Sequence, residues 1–183
     1  MRIIGGKHRG RNLLRVGKIT TRETADMVKE SVFNMIGGTV SGQVLDLFAG
    51  SGAYGLEAIS RGAEHLFAVD NDKDAVKTII TNAKSMKEEA SVTVVLKDVI
   101  RFLSTLDQTK KFDVVFIDPP YDLIIYLDVL NILVPFLNDD AYVVCESKRQ
   151  VVFEDQIQSL VKIKERVYGI KRITIYQKNR ADE

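Results

Sequence analysis

Tryptophan is absent from this 183-residue chain, cysteine occurs once, histidine twice and proline three times. A single cysteine excludes an intrachain disulfide, and with only two histidines beside it the chain is poorly equipped for a dedicated zinc site. With so few prolines, 45% hydrophobic and 28% charged residues, the chain is neither collagen-like, low-complexity nor disordered. No apolar run approaches the roughly 18 residues of a membrane span. The opening residues Met1 to Lys7 lack the apolar stretch of a signal peptide. The expectation is a soluble, cytoplasmic protein with no metal, long enough to bury roughly 70% of its unfolded surface.

Acids are missing from residues 1–22, which hold Arg2, Lys7, Arg9, Arg11, Arg15, Lys18 and Arg22, with His8 among them. The formal net charge of +1 hides this: the remaining residues are net acidic. A basic arm on an acidic body implies an anionic polymer as partner, because phosphates attract such an arm whatever the base sequence. Ile3, Ile4, Leu13, Leu14 and Val16 interleave with the charges, and Gly5-Gly6 supplies a turn. That pattern predicts a small N-terminal β-hairpin over residues 1–20, an extension of a main domain over residues 21–183.

The rest alternates between two periods. Helical spacing predicts helices over 22–36, with Thr20 or Thr21 as cap, and over 54–61, 73–87, 99–106 and 123–137, the last broken near Pro135. Short apolar runs predict strands over 44–48, 65–70, 92–96, 112–117 and 141–145. Alternating segments over 162–168 and 171–177 around Gly169 predict a C-terminal antiparallel hairpin. Strands that alternate with helices define an α/β protein with a mostly parallel, seven-stranded, Rossmann-like sheet and helices on both faces. Such sheets bind ligands beyond the carboxyl ends of their strands. Here those ends carry Ala49-Gly50-Ser51-Gly52, Asp70, Asp98 and Asp118-Pro119-Pro120-Tyr121.

Gly50, Gly52 and Gly55 satisfy G-x-G-x-x-G between a strand and a helix, where glycine permits a tight turn and close approach to a ligand. Asp70, at the end of the next strand, is placed to accept the hydroxyls of an adenosine ribose. Asp98 suits an adenine amine or the N-cap of the helix that follows, and the two roles are compatible. Asp46 is an acid inside an apolar strand, where an unpaired charge is costly. It either accepts N–H groups of the glycine loop or faces a cationic part of a ligand.

Asp118-Pro119-Pro120-Tyr121 is the most informative segment. Proline has no N–H but keeps its carbonyl. The Asp118 carboxylate and the Pro119 carbonyl therefore form a stiff cluster of acceptors suited to both N–H bonds of an exocyclic amine, and Tyr121 offers a ring for base stacking. Held this way, the amine nitrogen can be aimed at an electrophile such as a sulfonium methyl group, with Asp118 countering the charge that develops on nitrogen. This chemistry needs no Ser–His or Cys–His pair. Glu146, after the fifth strand, is read either as facing the edge of the site or, by default, as a surface acid, Cys145 as a small core residue and His65 as structural.

Together these residues resemble the class I S-adenosylmethionine-dependent methyltransferases of the amino-methylating branch, with its D/N-P-P-Y/F motif. The arm from Arg2 to Arg11, Thr24 to Met35, Asp46 to Gly52 and Tyr168-Gly169 are similar to the bacterial 16S ribosomal RNA guanine-N2 methyltransferase family, over almost the whole chain. The chain departs from that family at Glu23, where proline is usual, and at Tyr54, where leucine is frequent. The resemblance implies a nucleic-acid-modifying enzyme that methylates the exocyclic amine of one guanine in 16S ribosomal RNA, free or within the small subunit. It implies that Asp46, Ala49, Gly50, Ser51, Gly52, Asp70, Asn71, Asp98 and Val99 hold S-adenosyl-L-methionine, and that Asp118, Pro119, Pro120 and Tyr121 hold the guanine. Arg2, Lys7, His8, Arg9, Arg11 and Arg22 would contact RNA. A DNA adenine-N6 methyltransferase, an NAD-dependent oxidoreductase and a non-catalytic RNA-binding module remain as alternatives.

Overall fold

The structure, a computed structural model, describes residues 1–17, 22–120 and 125–181, and side chains throughout these except at residues 22–24. Tyr121, Thr20 and Thr21 lie outside the described residues, and Arg22 is described through its backbone alone.

In chain order the elements are α1 (Arg22–Met35), β1 (Gln43–Leu47), α2 (Ala53–Ser60), β2 (His65–Asp70), α3 (Lys73–Ser85) and β3 (Val92–Leu96). They continue with α4 (Val99–Thr105), β4 (Phe112–Ile117), α5 (Tyr126–Leu133), β5 (Leu137–Lys148), β6 (Gln156–Ile157), β7 (Leu160–Tyr168) and β8 (Lys171–Lys178). One sheet takes all the strands in the order β3-β2-β1-β4-β5-β8-β7-β6. The first five are parallel, and β8 runs antiparallel between β5 and β7. The expected parallel sheet, helices and C-terminal hairpin are therefore present.

Two differences from the sequence-based expectation have local causes. Among the described residues the sheet has eight strands, not seven: β6 is two residues long, too short to produce a legible alternation. The fifth helix ends at Leu133, where a 3-10 turn over Val134–Phe136 carries Pro135. Strand β5 then begins at Leu137, opposite Phe112, and runs through the polar residues Asn138 to Asp140, which hide its start.

Strand parity sorts side chains between the two faces. On one face Val44, Phe116, Val144, Ile173 and Ile175 pack against Val32 and Phe33 of α1, Leu56 and Ile59 of α2, and Ile79 of α3. On the other, Leu45, Leu47, Val115, Ile117 and Val143 pack against Phe102 of α4 and Val129, Leu130 and Leu133 of α5. Burial on both faces explains why the central strands read as unbroken apolar runs. Cys145 is buried in this second layer, as expected of a small core residue. None of the described helices is long and apolar enough to cross a membrane.

The arm is docked on the first face. Arg2 bridges to Asn12, and Ile3 and Leu13 are part of the core. Ile4 and Gly5 donate their backbone N–H groups to the buried Glu57 carboxylate at 3.0 and 2.9 Å. Glu57 also pairs with Lys29 at 3.2 Å and Arg61 at 2.8 Å. Burial pushes the Lys29 ammonium below its ordinary pKa, against the opposing pull of Glu57. A side chain at Gly6 is impossible, since a Cβ there would lie 1.8 Å from the Ser60 carbonyl oxygen. That carbonyl accepts the Lys7 N–H at 2.9 Å.

Candidate active site

Strand β1 ends in a turn that carries the chain over the sheet edge. The Gly52 N–H closes it on the Ala49 carbonyl at 2.8 Å, and Gly52, at φ +82°, precedes the first residue of α2. Gly50 sits at φ +57°, and a Cβ built on it would meet no atom within 4 Å: the backbone there faces open space. Asp70 fixes this turn from the end of β2. Its Oδ2 accepts the Gly50 N–H at 2.9 Å and its Oδ1 accepts the Asp72 N–H at 2.9 Å. Each oxygen keeps a second lone pair for a ligand hydroxyl.

That open space is a cavity of about 790 Å³. Asp46, Ala49, Gly50, Ser51, Asp70, Asn71, Asp98, Val99, Asp118, Pro119 and Pro120 all line it. Four strand ends thus bring together nearly every residue expected there. Gly52 is not a lining residue; it shapes the turn beneath. Asp98 also caps α4, its Oδ1 accepting the Arg101 N–H at 3.0 Å, so the capping role is realised.

Asp46 is buried, and its Oδ2 accepts the Gly55 N–H at 3.0 Å, which is the loop-bracing role anticipated for it. Burial, reinforced by nearby Asp70, pushes its carboxyl up to about 8, although the Gly55 hydrogen bond opposes the shift. Asp118 is raised well above its ordinary value by burial, then by Glu146 and Asp46, against the pull of Lys171.

Glu146 follows the site-edge reading and corrects the default one. It is 4% exposed, not a surface acid, and lines the cavity with Lys171. Its Oε1 lies 2.5 Å from Lys171 Nζ, and its Oε2 accepts the Tyr54 hydroxyl hydrogen at 2.9 Å. Tyr126 of α5 donates its hydroxyl hydrogen to the Glu146 carbonyl at 2.9 Å. Tyr54 stacks on Phe116 with centroids 5.0 Å apart and planes 14° from parallel. Parity was the signal that could have found these residues. Asp46 is opposite Phe116, Phe116 opposite Val144, and Glu146 opposite Ile173. Counting by twos along each strand puts Asp46, Asp118, Glu146 and Lys171 on one face, under α2.

Of the basic residues expected on RNA, Arg2, Lys7, Arg9 and Arg11 are exposed. His8 is half-buried, with Nε2 2.7 Å from Glu88 Oε1, and Lys7 Nζ is 2.5 Å from the same oxygen. The arm also borders the cavity, through Met1 and Val16. A buried amide joins arm and loop: Asn82 of α3 accepts the Leu14 N–H at 2.8 Å and donates to the Leu14 carbonyl at 3.1 Å and the Ser51 carbonyl at 3.0 Å.

A parallel sheet whose strand order switches sides at β1, with a cavity over its glycine turn walled by strand-end acids, is the arrangement of the class I S-adenosylmethionine-dependent methyltransferases. Comparison with known proteins is more specific. The family described as Conserved hypothetical protein 95 matches residues 1–177. "Putative rRNA methyltransferase YlbH" of Bacillus subtilis is 38% identical over 182 residues, which is 97% of this chain and 99% of that protein. Ribosomal RNA small subunit methyltransferase D of Escherichia coli is 35% identical over 151 residues, 81% of this chain and 75% of that one. A solved structure of YhhF from Escherichia coli superposes with a TM-score of 0.84 at 32% identity, covering 99% of both chains. The chain belongs to the Conserved hypothetical protein 95 family, a class I S-adenosylmethionine-dependent methyltransferase family that it shares with the proteins named ribosomal RNA small subunit methyltransferase D.

The cavity fits that family's cofactor. The bare backbone at Gly50 leaves room for a ligand, the spare lone pairs of Asp70 suit ribose hydroxyls, and Phe48, Val99 and Ile100 give apolar walls for a base.

Proposed function

We propose that this protein methylates small-subunit ribosomal RNA, and that its target atom is the exocyclic N2 of a guanine. The observation that carries the reading is the shared cavity: Asp118, Pro119 and Pro120 face the same space as Ala49, Gly50, Ser51 and Asp70. An amine acceptor and a cofactor cradle in one enclosure are what amine methylation requires.

In this reading Asp46, Ala49, Gly50, Ser51, Gly52, Asp70, Asn71, Asp98 and Val99 seat S-adenosylmethionine, directly or by shaping the turn. When bound, that cofactor supplies an electrophilic sulfonium methyl group. Asp118 and the Pro119 carbonyl accept the two N–H bonds of the guanine amine and orient its lone pair. No proline N–H competes for those acceptors. Tyr121 supplies the stacking ring, which offsets the few kcal/mol needed to take a guanine out of its stack. The exposed Arg2, Lys7, Arg9 and Arg11 hold the RNA backbone by charge, and this reading counts Arg22 with them. His8 acts less as an RNA contact than as an anchor, because it faces Glu88.

The test is methyl transfer from labelled cofactor to 16S RNA and to small subunits from cells lacking this protein, with the product mapped by mass spectrometry. One methylated guanine is expected, carrying its label on N2. Label on adenine, on DNA or on no nucleotide would refute the reading.

A further inference from the structure

Strand β8 runs antiparallel to β5, and β7 antiparallel to β8. The start of β8 and the end of β7 therefore stand at the same sheet edge as Gly50, Asp70 and Asp118. Along that edge the strand order runs from Gly50 after β1 to Asp118 after β4, Glu146 on β5, Lys171 on β8, and then the turn at Gly169-Ile170. Lys171 lines the cavity, and its neighbour Ile170 is 75% exposed, so the turn projects from the cavity rim into solvent. The arm lies the other way. Its partners Glu57, Asn82 and Glu88 belong to α2, α3 and the segment after α3, and α3 packs on β2 and β3.

Residues 147–151 and 164–172 hold Lys148, Arg149, Lys164, Arg166, Lys171 and Arg172, and of acids only Glu165, in a chain that is net acidic outside its arm. Glu165 is engaged by Arg172 at 2.5 Å and by Lys162 at 3.3 Å. Lys148, Arg149 and Arg166 are exposed, and among the described residues none of the three is in an ion pair. Lys148 is directly opposite Lys171, and Arg166 opposite Ile173, which belongs to the core layer under the arm. Like charges directly across a ladder are destabilising. Glu146 answers Lys171 at 2.5 Å, but no acid answers Lys148. The backbone beneath is fixed: Arg149 donates its N–H to the Ile170 carbonyl at 2.8 Å, and Arg172 Nε donates to the Arg149 carbonyl at 3.0 Å.

We propose that the turn between β7 and β8, with the end of β5 beside it, is a second RNA grip: Lys148, Arg149 and Arg166 take phosphates of the strand that leaves the cavity on the side away from the arm. The inference rests on the RNA-methylation reading and deepens it by giving the substrate a path from the arm, across the cavity mouth, to the turn. Taking a guanine out of its stack costs energy. Charges on both flanks offset part of that cost by holding the backbone on each side of the displaced nucleotide. Phosphate contacts position a nucleic acid and carry no base preference, so the choice of guanine stays with Asp118 and its neighbours.

Binding of 16S RNA and of small subunits, measured over a series of salt concentrations, tests the grip. The triple variant Lys148→Gln, Arg149→Gln, Arg166→Gln should bind on the order of 50-fold more weakly near physiological salt. Its slope of log affinity against log salt should fall by about 2, which is about 0.7 for each of three single-strand phosphates. Cofactor affinity, read by calorimetry, should hold, which also shows that the variant is folded. The double variant Lys110→Gln, Lys111→Gln changes exposed charges at the opposite edge of the sheet, just before β4, and should leave the slope as it is. A wild-type slope in the triple variant overturns the proposal and leaves the methylation reading standing. An equal loss per charge in the double variant also overturns it, because the charge would then act without regard to place. If the wild type binds neither RNA nor subunits, the reading of the substrate fails and takes the grip with it. Should the triple variant not fold, Arg166→Gln alone should lower the slope by about 0.7, and an unchanged slope there overturns the grip.

Discussion

In the arm, Arg2, Lys7, Arg9 and Arg11 stand in solvent while Ile3 and Leu13 are packed into the core. At the cavity the arrangement is inverted: Asp46 and Glu146 are buried, and the open faces belong to the Gly50 backbone and Pro120. Exposed charge acts at long range and is screened by salt, so each arginine of the arm adds a small increment. Buried charge acts at contact range and tolerates no loss of partner. One protein thus holds two kinds of electrostatics, a graded one for gripping a polymer and an all-or-none one for aiming an atom.

Substitutions can break or sharpen that contrast. The largest effect is expected from Asp118→Ala, which removes the amine acceptor: transfer should fall about 1,000-fold while cofactor affinity, read by calorimetry, holds. Wild-type turnover in that variant would remove Asp118 from the site. Next comes Glu57→Ala, which strands Lys29 and two backbone N–H groups of the arm. A loss of about 3–5 kcal/mol in urea unfolding is expected, and a loss under 1 kcal/mol, about the worth of a surface pair, would show that the arm is held by its apolar contacts alone. Arg9→Ala should weaken RNA binding only a few-fold, and reduce the slope of log affinity against log salt by about 0.7–0.9 for one lost phosphate contact. An unchanged slope would move the grip away from the arm.

Asp46 is read through stability against pH. Its folded carboxyl titrates near 8 against an ordinary 3.8, so the native state binds the proton more tightly than the unfolded chain does. The stability this contributes is complete below about pH 4 and is lost as pH rises through about 8. Asp46→Asn should therefore gain several degrees of melting temperature relative to wild type between those limits. A constant difference across that range would mean that Asp46 is ionised throughout.

The strands β2, β3 and β4 were legible to the residue, because each is a bounded apolar run with a turn signal on either side. The site was legible wherever a strand end coincided with a motif: Gly50, Asp70, Asp98 and Asp118 stand where the parallel pattern put them. Glu146 was legible only as an alternative, from its place after the fifth strand, and Lys171 and Tyr54 were not, since no motif marks them; they meet only through the register of β5 with β8 and the packing of α2 above. The arm's charge was visible in sequence, but its attachment was not. Glu57 lies in a helix far along the chain, and nothing local announces that it closes on Ile4 and Gly5.

Asn82 adds a consequence for anyone rearranging this fold. Its one amide grips Leu14 twice and the Ser51 carbonyl once. The first 17 residues read like a cassette that could be cut off or grafted elsewhere. Moved alone, they would leave behind Glu57, Ser60, Asn82 and Glu88, and with them most of the hydrogen bonds that give the segment its shape. Excision would also deprive the Ser51 carbonyl's neighbour of its other partners, so a chimaera must transplant the matching faces of α2 and α3 along with the arm.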